Sequence, residues 1–307
     1  MINRRNLLKI AGTTLPVILT SGASANTTAG FVGAMSRESK TTEGYVPVLG
    51  GRLKYLMVGE GETLVLLHKL GGRIQEWRRM LPALAAHYRV IVLDLAGHGQ
   101  SEMQGEPPFV VSQEAMAAQV MDALDALEAR LPYRFVGSSL GGCTALVCAA
   151  LWPERVAGVV SLGTALGGSV SRDELEVAAA KGITDGQFDA DENPLPRPLE
   201  YGRRVFGLED DRIAEEQNES RAQAGRWIAP TSRGVGRIDY LALLPQVTAP
   251  VLLAWGKRGS YGRYIEAALP LLAHGQAKEI QNSGSFPHEE VADITSQLVI
   301  AFFEDTR

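Results

Sequence analysis

The sequence has few cysteines and no long apolar run. Cys143 and Cys148 are its two cysteines, and two are too few to stabilise a domain of this size through disulfides. They lie five residues apart in a predicted helix, so their side chains point in different directions and we expect packing residues instead of a disulfide. A membrane-spanning helix needs about 18 or more apolar residues in a row. We therefore expect no stable membrane insertion of the mature chain.

An excess of positive charge is also missing. The chain has 30 Lys and Arg residues against 35 Asp and Glu residues. Removal of the first 25 residues would leave 27 basic against 35 acidic side chains. Without a basic stripe, neither nucleic acid nor an anionic membrane surface is an expected partner. The sequence instead favours a small, neutral or apolar molecule as substrate or ligand.

Motifs for metals and phosphate-containing cofactors are absent from the sequence. No group of His, Cys and acidic residues has the spacing of metal ligands. Gly97-His98-Gly99 begins like a dinucleotide-binding loop, but Glu102 stands where the third glycine is needed. We predict no cofactor and no metal.

The first 25 residues have the features of an export signal. Arg4-Arg5 precede a modest apolar run, and the segment ends in Ala23-Ser24-Ala25. This pattern is typical of a twin-arginine signal peptide with a small-residue cleavage site. It predicts a periplasmic or secreted protein. Residues 26–44 are small and polar, and we expect them to form a flexible leader.

The remaining chain alternates between short apolar runs and amphipathic helices. Two antiparallel strands are predicted within residues 45–58, and the later apolar runs are typical of strands covered on both faces. This order predicts an α/β fold with a doubly wound, mostly parallel sheet, built from residues 45–164 and 245–307. Residues 165–244 are charged and irregular, which favours an inserted helical lid. The predicted buried strands are Leu64–Leu67, Val90–Leu93, Tyr133–Val136, Val156–Leu162 and Val251–Ala254.

The strongest motif is Gly137-Ser138-Ser139-Leu140-Gly141. It follows a predicted buried strand and opens an apolar helix. A Gly-x-Ser-x-Gly sequence in this context is typical of a nucleophile elbow, in which small neighbours allow a very tight turn. Ser139 is therefore the candidate nucleophile.

Two further loops follow predicted parallel strands. They are His68-Lys69-Leu70-Gly71-Gly72 and the segment from Asp94 to Ser101. Loops at these carboxyl ends form the sites of open α/β sheets. Together with the elbow, they resemble the α/β-hydrolase superfamily over about residues 45–305, within the group of lactonases, carbon–carbon bond hydrolases, haloperoxidase-like proteins and small esterases.

The resemblance implies roles for individual residues. His68 would belong to the loop that shapes the oxyanion hole, and the backbone N–H groups of Leu70 and Leu140 would stabilise the oxyanion. Lys69 departs from the glycine of the family motif. Its ammonium could point to solvent or lie beside Ser139, and a buried lysine with a lowered pKa could act there as a base.

The other two members of the usual catalytic triad are missing. The family's Trp-Gly-x-x-Asp corresponds to Trp255 through Gly259, so Gly259 replaces the acid. Ser285 stands where the family has its catalytic histidine, and His288 is the nearest histidine in sequence. A serine without a base is a weak nucleophile.

Three functions are therefore compatible with the sequence. The first is an esterase or lactonase that uses Ser139, with Lys69 or His288 as an atypical base. The second is a non-hydrolytic enzyme, such as an isomerase, cyclase or lyase, that uses the same pocket and Lys69. The third is a catalytically inactive protein that binds a small ligand. The fold alone does not distinguish among them.

Overall fold

The computed structural model describes residues 41–306, which contain nine strands in one sheet. The predicted signal peptide and most of the predicted leader lie outside this range. The strands are β1 Thr42–Val48, β2 Gly51–Val58, β3 Thr63–Leu67, β4 Arg89–Leu93, β5 Glu102–Met103, β6 Tyr133–Ser138, β7 Val156–Leu162, β8 Val251–Gly256 and β9 Gly275–Ile280.

The sheet order is β1-β2-β4-β3-β6-β7-β8-β9, and β5 pairs with β2. The β1–β2 and β2–β4 pairs are antiparallel, whereas every pair from β4 to β9 is parallel. The mostly parallel sheet predicted from the sequence is thus confirmed. The chain runs from β3 to β4 on one side and returns to β6 on the other. This reversal opens a crevice at the carboxyl ends of β3 and β6.

Helices cover the sheet and fill the insertion between β7 and β8. In residues 41–306, no helix combines the length and apolarity needed to cross a bilayer. The α-helices are α1 Leu81–Ala85, α2 Gln113–Ala126, α3 Leu140–Leu151, α4 Arg172–Thr184, α5 Leu199–Tyr201, α6 Asp211–Ala224, α7 Ile228–Arg237, α8 Tyr240–Leu243, α9 Ile265–Ala268, α10 Pro287–Glu290 and α11 Ala292–Asp305. Shorter turns are the 3-10 helices Ile74–Trp77, Pro153–Arg155, Gly225–Trp227, Leu244–Gln246, Tyr261–Tyr264 and Leu269–Leu271, and the π-helix Gly202–Phe206.

The core is deepest where α3 packs against β6 and β7. Strands β3 and β6 are buried along their whole length, which explains the apolar run Leu64–Leu67 and the mostly apolar sequence of β6. Helix α3 is buried except at Ala150, because it lies between the sheet and α2. Cys143 and Cys148 are free and buried on this helix. Both act as small packing residues there.

One predicted boundary is wrong. The sequence places residues 42–44 in the leader, but they belong to β1 and pair with Met57, Leu56 and Tyr55 of β2. The backbone hydrogen bonds of an antiparallel ladder therefore override the low strand propensity of Glu43 and Gly44.

The insertion is helical, as predicted, and is anchored near the crevice. A small apolar cluster joins Leu208 and Ile213 of the insertion to Phe286, which follows β9. Ser171 caps the first long helix of the insertion through a reciprocal interaction with Glu174. The insertion is thus held close to the loop that contains the family's histidine position.

The elbow generates a prediction about stability. A Cβ on Gly141 would overlap the carbonyl of Leu67 and lie within 2.7 Å of its Cβ. We expect Gly141→Ala to lower the free energy of unfolding by about 1–3 kcal/mol or more. Urea unfolding measures this change. Gly168 is the control, because a Cβ added there would meet no other atom within 4 Å, and Gly168→Ala should change stability by less than about 1 kcal/mol. Equal effects would contradict the close approach.

Candidate active site

Ser139 lies at the turn between β6 and α3. Its backbone has φ 47° and ψ −108°, and its N–H donates to the carbonyl of Leu162 at 2.9 Å. A positive φ at a non-glycine residue costs on the order of 1–3 kcal/mol and requires support from the surrounding structure. Gly137 provides part of that support, because a Cβ there would overlap the backbone of Gly141. The turn has the conformation of a nucleophile elbow.

His68 holds the loop beside the elbow. The Leu95 N–H donates to its Nε2 at 2.9 Å, so the proton is on Nδ1, which donates to the Lys69 carbonyl at 2.7 Å. Burial lowers the pKa of His68, which favours the neutral ring. The carbonyl of His68 also accepts the Gly141 N–H at 3.0 Å. His68 therefore ties the loop after β3 to the start of α3.

The two predicted oxyanion donors flank Ser139. Leu140 is the first residue of α3, where an N–H has no acceptor within the helix. Leu70 lies on the loop after β3 and lines the same cavity as Ser139. Among residues 41–306, neither N–H donates to another backbone carbonyl. Both donors are available to a ligand oxygen.

A cavity of about 210 Å³ opens above Ser139. Three cationic side chains line it, whereas no carboxylate does. Its walls combine the loop after β3, the insertion and the loops after β8 and β9. The lining residues are Lys69, Leu70, Gly71, Ser139, Arg197, Tyr201, Phe206, Gln217, Arg221, Tyr261 and Phe286.

Lys69 is buried between two carboxylates. Its Nζ lies 2.8 Å from Glu289 Oε2 and also forms an ion pair with Glu76. Burial alone would lower the pKa of Lys69, but the two carboxylates outweigh it and raise the pKa above its ordinary value. The expectation that burial lowers the pKa of Lys69 and makes it a base is therefore wrong. Lys69 is held in its charged form beside the cavity.

The ion pair with Lys69 also changes the pKa of Glu76. Burial would raise its pKa, but Lys69, with a smaller contribution from His288, lowers it to about 2. Glu76 therefore remains ionised at neutral pH and, together with Glu289, pairs with the ammonium. The three side chains form a buried ion cluster, Lys69–Glu76–Glu289.

His288 faces this ion cluster. Its Nε2 lies 3.5 Å from Glu76 Oε2 and 3.9 Å from Glu289 Oε2, and its ring packs on Trp77 with centroids 4.7 Å apart. The side chain is fully buried and does not line the Ser139 cavity. The suggestion that His288 replaces the missing base is therefore not supported by its position, because a base must reach the serine hydroxyl.

Glu76, His288 and Glu289 also form a grouping that the sequence analysis missed. Their ligand atoms lie within 4.8 Å of one another, as in a metal site. They come from distant segments, so spacing along the chain gave no signal. Here the Lys69 ammonium is bonded to both carboxylates and supplies the positive charge that a metal would bring.

The two positions that have lost triad residues are in contact. A Cβ on Gly259 would lie 2.9 Å from Ser285 Oγ. Ser285 is fully buried, its N–H donates to the Phe206 carbonyl at 2.7 Å, and its Oγ has no hydrogen-bond partner in residues 41–306. The backbone therefore still brings together the positions where the family has its acid and histidine, but neither side chain can move a proton.

Tyr261 is a site residue that the sequence analysis missed. It follows Gly259 by two residues, lines the same cavity as Ser139 and interacts with the Ser139 side chain. Burial raises the pKa of Tyr261, and the interaction with Ser139 opposes this only in part. The available signal was an aromatic hydroxyl just after the empty acid position.

Arg197 and Arg221 were also missed. Both belong to the insertion and line the cavity. The sequence around them is charged throughout, and nothing in it separates these two arginines from solvent-exposed ones. Their selection depends on how the insertion folds over Ser139.

Comparison with known proteins identifies the family. The family model described as "alpha/beta hydrolase fold" matches residues 62–290. A 2-hydroxy-6-oxononadienedioate/2-hydroxy-6-oxononatrienedioate hydrolase 2 of Pseudomonas putida is 25% identical over 288 residues, covering 88% of this chain and 96% of that protein. The enol-lactonase of Burkholderia xenovorans LB400 superposes with a TM-score of 0.72 at 22% identity, covering 85% of this chain and all of that one.

A second relative matches over a shorter stretch. The 2-hydroxy-6-oxo-6-(2'-aminophenyl)hexa-2,4-dienoic acid hydrolase of Metapseudomonas resinovorans is 32% identical over 131 residues. This alignment covers 42% of the chain and 44% of the relative, less than half of either. The family model, in contrast, spans most of the chain and includes the elbow, the ion cluster and both empty triad positions. The chain therefore belongs to the α/β-hydrolase family.

Proposed function

We propose that the protein is a serine hydrolase that cleaves a small ester or lactone through Ser139. The observation that carries the proposal is the strained backbone of Ser139 at a cavity that Leu70 also lines, with the N–H group of Leu140 next to Ser139 at the start of α3. Strain of this kind persists where the surrounding structure maintains it, and it is common at active sites. The named hydrolase and enol-lactonase relatives support the same class of reaction.

The reaction would have two halves. Ser139 Oγ attacks the acyl carbon and loses its proton, and the carbonyl oxygen becomes an oxyanion held by the two N–H groups. Collapse of this intermediate breaks the acyl–oxygen bond and releases the alcohol, which regains a proton. Water then attacks the acyl-enzyme in the same way and frees the carboxylate product and Ser139.

Tyr261 is the proposed proton acceptor. It lines the cavity with Ser139 and interacts with the Ser139 side chain, whereas Lys69 is paired with carboxylates and His288 lies outside the cavity. Because the pKa of Tyr261 is raised above its ordinary value of 10.0, the phenol is protonated at neutral pH and only the rare phenolate can act as base. We therefore expect slow turnover at pH 7 and faster turnover in alkaline solution.

Lys69 would act as a fixed positive charge near the oxyanion. It adjoins Leu70, and its ammonium stays protonated because Glu76 and Glu289 raise its pKa. A charge already oriented by the protein needs no rearrangement when the oxyanion forms. From Arg4-Arg5 and the small residues at 23–25 we further propose that the protein acts after export.

Covalent labelling with a fluorophosphonate tests the role of Ser139 and Tyr261. We expect the labelling rate to increase about tenfold per pH unit from pH 7 towards pH 10, because the phenolate fraction rises in this way below its pKa. Ser139→Ala should abolish labelling, and Tyr261→Phe should remove the pH dependence.

Tyr264→Phe is the matched control, because Tyr264 lies on the same 3-10 helix and bonds to Arg263 instead of Ser139. It should keep the wild-type profile. A plateau near neutral pH would point to a different base and exclude Tyr261. Complete absence of labelling would favour the alternative of a ligand-binding protein without turnover.

Restoring a histidine tests whether the rest of the triad geometry is intact. We expect Ser285→His to increase kcat/KM for p-nitrophenyl acetate at pH 7.5 by about 10²-fold or more, as a general base does. Ser285→Asn, which adds comparable bulk but no base, is the control and should give no increase. Adding Gly259→Asp should give a smaller further increase in kcat/KM than the family's triad suggests, because the Cβ of the new aspartate would lie 2.9 Å from the Cα of residue 285. No gain from Ser285→His would show that position 285 no longer reaches Ser139.

Removing the ammonium tests the ion cluster. We expect Lys69→Met to lower the free energy of unfolding by about 3–5 kcal/mol at pH 7, because two buried carboxylates lose their counter-charge. The loss should be smaller at pH 5, since without the ammonium burial favours protonation of Glu76. The wild type, in contrast, should become less stable in acid. The pKa of Glu76 is depressed from 4.5 to about 2, so its contribution to stability is lost as pH falls through that range.

Urea unfolding at several pH values measures both effects. Lys257→Met is the control, because Lys257 is exposed and bonds only to a glutamine side chain. Its effect should stay within about 0.5 kcal/mol at every pH. An equal loss for Lys69→Met at pH 7 and pH 5 would contradict the proposed charge balance.

A further inference from the structure

Two arginines of the insertion place uncompensated polar atoms at the Ser139 cavity. Arg221 is 4% exposed. Its Nε and Nη2, and the Nε of Arg197, are buried and have no hydrogen-bond partner in residues 41–306. The Nε2 of Gln217 is in the same state. All three side chains line the cavity, so one wall carries several hydrogen-bond donors and no acceptor for them.

Their positions are held by the surrounding structure. Asn218 clamps the backbone of Arg197, accepting its N–H at 2.9 Å and donating to its carbonyl at 2.8 Å. Gln217 and Arg221 are four residues apart on α6 and therefore lie on the same face. Gly71 leaves room for Arg221, because a Cβ at Gly71 would lie 2.8 Å from its Cγ. The donors are thus built into the wall that adjoins the Leu70 loop.

Among the described residues that line the cavity, no other group balances these charges. No carboxylate lines it, and the positive charge of Lys69 is already matched by Glu76 and Glu289. The Arg197 guanidinium lies over the rings of Tyr201 and Phe206 at 4.8 and 5.6 Å, which compensates only part of its desolvation. Burial, together with the neighbouring Arg197, lowers the pKa of Arg221 to about 10, so it is still charged at neutral pH. A buried charge of this kind is unfavourable until a counter-charge arrives.

We propose that the cavity binds a small substrate with a free carboxylate, which accepts hydrogen bonds from Arg197, Arg221 and Gln217. The planar guanidinium group matches a carboxylate in shape and charge. The acyl carbon of the same molecule would lie at Ser139, and this second half rests on the proposed hydrolase function. The cavity volume of about 210 Å³ is below that of most ligand pockets, which favours a short molecule. The substrate class thus changes from the neutral or apolar compound expected from the sequence to a small anion.

Binding of glutarate to the full chain carrying Ser139→Ala tests the carboxylate site without any turnover. We expect about 10 mM glutarate to raise the Tm measurably, because a ligand that binds only the folded state stabilises it. Its uncharged counterpart glutaramide, and sodium chloride at the same ionic strength, should not. Inorganic phosphate separates the two anion classes, and a shift equal to or larger than that of glutarate would overturn the assignment to a carboxylate.

Substitutions identify the residues that bind it. Arg221→Met and Arg197→Met should each weaken glutarate binding at least tenfold, and Arg221→Lys should weaken it less than Arg221→Met, because the charge remains but the fork is lost. Arg212→Met is the matched control on α6, since Arg212 is exposed and pairs with Asp210. It should bind glutarate as the parent does. Unchanged binding in Arg221→Met and Arg197→Met would overturn the proposal.

The ligand-free Tm of Arg221→Met distinguishes a binding role of Arg221 from a purely structural one. Replacing a buried, unpaired guanidinium by an apolar side chain should raise the ligand-free Tm of Arg221→Met by about 2–4 °C. A lower Tm would show that Arg221 stabilises the fold and would count against the proposal. If glutarate binds but the wild-type chain is not labelled by fluorophosphonate, the hydrolase function is refuted and the carboxylate site stands. If the wild-type chain is labelled but glutarate does not bind, the carboxylate site is refuted and the hydrolase function stands.

Discussion

The site depends on one steric constraint, the close approach of α3 to the end of β3. Gly141 lies against the backbone of Leu67 so closely that no side chain fits between them. This contact sets the sharp turn after β6 and gives Ser139 its positive φ. It also places the first N–H groups of α3 beside the loop that His68 holds in position. The proposed nucleophile and oxyanion donors are therefore positioned by backbone packing.

The two sides of the Lys69 side chain have different charged surroundings. On one side lie the buried Glu76 and Glu289, which pair with the ammonium, and His288, which lies beside Glu76. On the other side lies the cavity, which has arginines but no carboxylate. The chain as a whole is acidic, with a formal net charge of −5. The local field at Ser139 thus has the opposite sign to the net charge, because the acidic groups nearest to it are already paired.

The empty triad positions change the chemistry without changing the scaffold. Gly259 and Ser285 remain neighbours, so the loops after β8 and β9 have kept their arrangement. Tyr261 provides the one proposed route for the serine proton, and a phenol is a far weaker base than imidazole at neutral pH. Under the proposed function, the site therefore combines a preorganised nucleophile with a base that suits alkaline conditions.

The sequence by itself determined the sheet, the elbow and the loss of the triad, because these follow from local patterns: short apolar runs, the glycines around Ser139, and single residues at Gly259 and Ser285. It did not determine the partners of Lys69, since Glu76 and Glu289 lie 7 and 220 residues away and only the folded chain brings them together. Nor did it determine which insertion arginines face the cavity. Burial and pairing decide whether a lysine is a base or a fixed charge, and whether an arginine is solvated or awaits an anion. Both are properties of the tertiary structure.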